Sequence, residues 1–261
     1  MNIIYFIIAL LTSTIGAISG IGGGVILKPL LDSMRTLDIS QINFLSGCTV
    51  LTMSFVSLLK SRADFTSACV KSAAPIAFGS CIGGVIGKML LQNLCTMLTV
   101  SENISIIQST MLLLINILML WYITHKSSIH QIILTNIFIC IIIGLFLGTL
   151  SSFLGIGGGP LNIGILCVFF SMSPKQSAIH SLFIIFCSQF FNLIAGIIMH
   201  TIPEFFFATL FIMCIGGILG AMVGTHIRNS IKNRTADKIL HYLLIGLISL
   251  NLYNISIFSE F

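Results

Sequence analysis

The sequence predicts an all-α polytopic membrane protein of about eight transmembrane helices, arranged as two four-helix repeats, each with a first helix broken by glycines. Three observations predict it. Charged residues are only 7% of the 261 positions and hydrophobic ones 56%, with a mean hydropathy of +1.10. An ordinary soluble domain carries about 25% charge, so this chain cannot cover a water-facing surface of its size. Apolar segments of spanning length recur along the chain, and the run Gly-Ile-Gly-Gly-Gly occurs twice, at Gly20–Gly24 and Gly155–Gly159, 135 residues apart.

The apolar segments run near 3–31, 42–59, 70–91, 104–124, 131–170, 177–199, 204–227 and 237–258. A hydrocarbon core of about 30 Å needs about 20 helical residues, which fits six of these segments. Residues 131–170 as one helix would extend about 60 Å, and residues 3–31 about 43 Å, at about 1.5 Å per residue. Each over-long segment contains one glycine run, and glycine weakens a helix interior by roughly 1 kcal/mol relative to alanine. Each is therefore expected to be a helix, a break and a shorter second helix. The strand alternation of an outer-membrane barrel is absent from the sequence. The first twenty residues lack a basic n-region, and cleavage after Ser19 would remove the helix leading into the first glycine run. They are read as an uncleaved first span.

The duplication extends beyond the glycines. At the same offset Thr14 matches Thr149, Leu31 matches Leu166, Gln41 matches Gln176 and Ser46 matches Ser181. At an offset of 137, Gly79, Gly83 and Gly87 match Gly216, Gly220 and Gly224, a glycine at every fourth residue that suits close helix packing. The repeats are expected at 1–125 and 126–261, joined near Thr124–His130. Four spans per half would give both halves the same orientation, about an axis along the membrane normal. The loop from Arg228 to Lys238 carries four basic residues and is expected in the cytoplasm, leaving both termini outside. With eight crossings, the basic loop around Lys60, Arg62 and Lys71 points to the opposite orientation.

The net charge of +5 comes without a basic run of the kind that binds nucleic acid. The eight cysteines form no Cys-x-x-Cys pair and mostly lie in apolar runs, as small buried hydrophobes do. No cofactor and no metal site are expected.

The glycine breaks carry the chemistry. In hydrocarbon a broken helix survives only when it is packed in protein or lines a polar cavity. After each break a new helix begins, at Val25 and at Pro160, a residue suited to the first helical position. Its free N–H groups and partial positive charge attract anions, and glycine leaves those amides bare. The expected anion-binding residues are Gly22, Gly23, Gly24, Gly157, Gly158, Gly159, Pro160 and Asn162. The alternative is close helix packing without a ligand. Ser46 and Ser181 could donate hydroxyls to an oxyanion or bond between helices. Lys28 could attract an anion or snorkel to the interface. His180 could carry a coupling proton or be structural. All seven acids are expected in loops or at segment ends, which disfavours a pump with a buried carboxylate.

These motifs, "GIGGGVILKPLL" and "GIGGGPLNIGIL", followed about twenty residues later by "LSGC" and "HSLF", resemble the TauE/SafE family, also called the toluene sulfonate uptake permeases. The resemblance covers essentially the whole chain. It implies the duplicated eight-span plan and the transport of sulfite, sulfonates or related organosulfur anions. The chain departs from the family pattern at Lys28, Gly164, His180 and Leu45, where the family commonly has an apolar residue, a proline and two threonines; these departures bear on the substrate. The expected function is therefore a permease or exporter of small anions in the bacterial inner membrane, with a small anion and the lipid bilayer as its partners and no enzymatic activity. A membrane thiol-redox or assembly protein and a passive anion channel are the alternatives, and the oligomeric state stays open.

Overall fold

The structure, a computed structural model, describes residues 2–61, 67–97, 101–125, 134 and 136–259. All regular structure among them is helical: α1 (Asn2–Ser19), α2 (Gly24–Met34), α3 (Ile39–Lys60), α4 (Ser67–Met97), α5 (Ser101–His125), α6 (Ile137–Phe153), α7 (Pro160–Phe170), α8 (Pro174–Ile198), α9 (Phe207–Ser230) and α10 (Asn233–Ser259). Seven of these, α1, α3, α4, α5, α8, α9 and α10, contain a window long and apolar enough to cross a membrane. The apolar α6 has 17 residues, while α2 and α7 have 11 each. Large apolar side chains such as Phe138 and Phe206 stand exposed on the outside, 78% and 76% accessible, as a lipid-facing surface requires.

Both glycine runs interrupt helices. Gly20 and Gly22, and their counterparts Gly155 and Gly157, take left-handed φ values of 75°, 89°, 67° and 69°, which a side chain disfavours. The chain then reverses. The half-helix α2 runs back along α1 until Thr36 bonds the Tyr5 hydroxyl at 2.8 Å. The half-helix α7 likewise returns, packed on α8 and α5, to the level of the start of α6, where the Phe169 carbonyl accepts the Leu134 N–H at 2.9 Å. Each half-helix ends on a left-handed residue, Arg35 (φ 49°) and Ser171 (φ 51°). The following helices start with local caps: the Gln41 side chain accepts the Asp38 N–H, and Ser173 accepts the Gln176 N–H next to Pro174 at the first turn.

This reversal corrects the expected symmetry. α2 returns to the end of the bundle where α1 begins, and α7 to the end where α6 begins, so each broken pair starts and finishes at one end. Hydrogen bonds fix the two ends of the bundle. Tyr5, Thr36, Gln41 and Glu204 share one end with Arg35, which donates to the Ile257 carbonyl at 2.7 Å. Because α1 begins and α10 ends there, it is termed the terminal face. Ser61, Arg228, Lys175 and Asn229 share the other, the basic face. α1, α3, α5, α7 and α9 run toward the basic face; α2, α4, α6, α8 and α10 run away from it. Helices matched by the sequence duplication, α1 with α6 through α5 with α10, therefore run in opposite directions, not in the parallel arrangement expected.

The glycine ridges join the halves. Gly216, Gly220 and Gly224 of α9 lie against the backbone of α1 at Phe6, Leu10 and Thr14. Gly79, Gly83 and Gly87 of α4 lie against α6 at Ile141, Leu145 and Thr149. Any larger residue would meet these carbonyls, so the ridges serve close packing, as the spacing predicts. The two breaks meet at the centre: Gly24 abuts the Ile156 carbonyl, and Ile21, Val25, Ile156 and Ile163 share one buried apolar cluster.

Candidate functional site

A cavity of about 480 Å³ lies between α3, α4, α8 and the end of α6. Its walls come from the first half of α3 (Asn43, Gly47), the last turns of α4 (Lys88, Gln92) and the last turns of α8 (Gln189, Asn192). Thr201 and Pro203, between α8 and α9, also line it, so it opens toward the terminal face. Among the described residues that line it, Lys88 is the one lysine or arginine and none is acidic. The remaining polar groups are amides, hydroxyls and thiols. Such a lining favours an anion: one positive charge and several donors, with no carboxylate to repel it.

A network at the back holds this wall. Lys28 is 1% exposed, and its ammonium donates to Asn43 Oδ1 at 2.8 Å and to Gln108 Oε1. Gln108 Nε2 in turn donates to the Phe153 carbonyl at 2.6 Å, at the end of α6. With its oxygen engaged by Lys28, Asn43 keeps a buried Nδ2 donor without a partner. Asn192 Nδ2 donates to Ser152 Oγ at 2.5 Å, tying α8 to α6, and Thr201 Oγ1 is a further buried hydroxyl without a partner. Unpaired buried polar atoms are rare enough to call for a ligand or water.

The glycine breaks reach this cavity only at Gly155; Gly157 lies behind it, where an added Cβ would sit 3.0 Å from Gln189 Nε2. Gly158, Gly159 and Asn162 face a separate void of about 10 Å³, the size of one water, walled mostly by leucine and isoleucine. Gly22, Gly23, Gly24 and Pro160 are buried at the centre, with Gly23 packed on Ser13 and Met53. Ser46 and Ser181 are brought to the breaks. Ser46 sits on α3 between Asn43, which abuts Gly155, and Val50, which abuts Gly24 and Gly157. Ser181 sits on α8 between Ala178, which abuts Gly20, and Ile185, which abuts Gly22 and Gly158. Both hydroxyls are fully buried and lack a hydrogen-bond partner. His180 is 2% exposed, and its Nδ1 donates to the Gln176 carbonyl at 2.7 Å within its own helix.

Two expectations change here. Lys28 neither snorkels nor lines the cavity; it is a buried clamp between α2, α3 and α5. Asp32 stands at a segment end as expected, in the last turn of α2, but is buried there at 5% exposed, against the expectation of no buried carboxylate. Lys88 is the residue that sequence reasoning passed over, although it is the one charge in the span Ala73–Cys95. An ionisable residue inside a span is a functional candidate by its cost alone.

The model of the family described as "Sulfite exporter TauE/SafE" matches residues 5–252. The chain belongs to that family. It is also 24% identical over 283 aligned residues to the "Probable membrane transporter protein YunE" of Bacillus subtilis (strain 168), across 98% of this chain and 99% of that protein. No solved structure matches. This TauE/SafE protein is thus a multi-pass membrane protein of a transporter family, which excludes neither of the two places where an anion could sit: the Lys88 cavity and the glycine breaks behind it.

Proposed function

We propose that this chain is a carrier of small anions, sulfite, sulfonates or related organosulfur anions, and not an enzyme. The observation that carries this reading is the cavity beside the second helix break, whose described lining holds no acid and one cation, Lys88. The anion enters from the terminal face, meets Lys88 and the Asn43 amide, and passes to the breaks. There the amides of Gly22–Gly24 and Gly157–Gly159, the N-terminus of α7 at Pro160 and Asn162, and the Ser46 and Ser181 hydroxyls receive it. Helix N-termini that favour negative charge, placed at the midpoint of inverted repeats, are a recurring transport-site geometry. The repeats are residues 1–125 and 126–261, each a broken first segment followed by three crossing helices.

Orientation follows from the two faces. Among the described residues, Lys60, Lys175, Arg228, Lys232, Arg234 and Lys238 lie at the basic face and Arg35 at the terminal face, with Lys88 inside the cavity that opens there. Positive charge marks the cytoplasmic side, so the basic face is cytoplasmic and both chain ends lie outside. The two basic loops that disagreed under eight crossings agree once the broken segments return. Proteoliposomes test the function: methanesulfonate and sulfite should move, faster when the imposed potential drives anions in that direction. Movement of a cation or a neutral solute that no anion competes with removes the reading.

A further inference from the structure

The walls of the open cavity have counterparts in the other half, toward the basic face. At the 135-residue offset Gly155 corresponds to Gly20, Ser152 to Ala17, Asn192 to Ser57 and Gly196 to Ser61. At the 137-residue offset of the glycine ridges, Lys88 corresponds to Thr225 and Leu91 to Arg228. The counterpart space is filled. Ser57, Ser61, Ala178 and Thr225 are buried, and Arg228 is 1% exposed. The Arg228 guanidinium donates Nη1 to the Ala17 carbonyl at 3.3 Å and Nη2 to the Ser61 hydroxyl. Those two acceptors are the counterparts of Ser152 and Gly196, which line the open cavity on the other side, where Gly196 faces the Lys88 ammonium. Ser57 and Thr225 each keep a buried hydroxyl without a hydrogen-bond partner.

A buried guanidinium is costly, and an apolar residue such as the counterpart Leu91 would close the space more cheaply. Its planar fork is also the side chain best matched to an oxyanion. We propose that Arg228 is a further anion-binding site of the carrier, the cytoplasmic counterpart of Lys88, shut in this state by its own bonds to α1 and to the end of α3. An anion arriving from the centre competes for the guanidinium and releases Ala17 and Ser61. That opens the basic face as the Lys88 cavity closes. This inference rests on the reading of the chain as an anion carrier.

The test uses the full chain with its cysteines replaced, carrying either native Cys48 or Ser57→Cys as the reporter. A membrane-impermeant maleimide is applied from the terminal face for Cys48, which lines the open cavity, and from the basic face for Ser57→Cys. Ser57→Cys should react slowly, and about tenfold faster in Arg228→Ala. It should also accelerate with Arg228 intact when methanesulfonate is supplied at the terminal face. Arg228→Lys keeps the charge without the fork and should fall between; Cys48 labelling should fall as Ser57→Cys labelling rises, and an unchanged monodisperse elution profile in detergent reports an intact fold. An unchanged Ser57→Cys rate in Arg228→Ala, in proteoliposomes that still move methanesulfonate, overturns the role of Arg228 and leaves the carrier standing. A rate that rises in a protein moving no anion overturns the carrier reading and the anion chemistry assigned to Arg228.

Discussion

Replacing Lys88 by methionine isolates the charge of the cavity from its shape. Methionine keeps a flexible apolar stem of similar length, so the packing of α4 near Gly196 is retained. What is lost is one ammonium. An anion about 4 Å away gains about 1 kcal/mol from it in bulk water and about 4 kcal/mol at an effective dielectric constant of about 20. Lys88 is half-buried in a cavity that opens outward, so a value near 2 kcal/mol is appropriate. At 1.4 kcal/mol per tenfold, this is a loss of about 30-fold in apparent affinity. Methanesulfonate uptake into proteoliposomes, measured against concentration, should show KM raised by that factor in Lys88→Met and nearly restored in Lys88→Arg. Raising the salt should weaken the wild type more than the variant. A KM in Lys88→Met within about threefold of wild type would refute the assignment of the cavity as the anion's entry site.

Gly158→Val should abolish transport in protein that still inserts, because Gly158 holds φ at 157° and its Cβ would strike Ile185; Asn162→Leu and Ser181→Ala should slow uptake less, and wild-type transport by well-expressed Gly158→Val removes the break from the mechanism. Lys28→Met strands the Asn43 and Gln108 oxygens, each costing about 1–3 kcal/mol if left unpaired; thermal unfolding in detergent should fall by several degrees, and an unchanged midpoint denies the clamp. A reporter fused after Phe261 that is active only in the cytoplasm should stay silent, and activity there reverses the orientation.

Much of the fold was legible because glycine speaks through backbone geometry. Paired runs within over-long apolar segments give the two breaks, and glycine at every fourth residue gives the ridges on α4 and α9. The direction taken after each break was not legible. Whether a chain leaving Gly20 and Gly22 continues or doubles back depends on tertiary contacts such as Tyr5 with Thr36, 31 residues away. That one turn decides whether helices matched by the duplication run parallel or antiparallel. The site was legible in part. Ser46 and Ser181 stand out by matching across the duplication, and the structure places both beside the breaks. Lys88 has no charged counterpart, since Thr225 occupies the matching position, so symmetry hid the residue that breaks it. Lys28 was visible as a misplaced charge, but its partner Gln108 lies 80 residues away and carries no local signal.

The ridge that seats α9 on α1 also constrains how the protein is made. α1 finds its closest partner, α9, only after roughly 200 further residues, about 10–40 s later at a synthesis rate of about 5–20 residues per second. Until then the side of α1 that will touch Gly216, Gly220 and Gly224 has only lipid or the insertion machinery against it. α6, in contrast, meets a waiting α4 as it emerges. Assembly of the second half can therefore be nearly concurrent with its synthesis, while the first half stays open. An early-synthesised fragment ending before α9 is expected to be the species that quality-control proteases recognise.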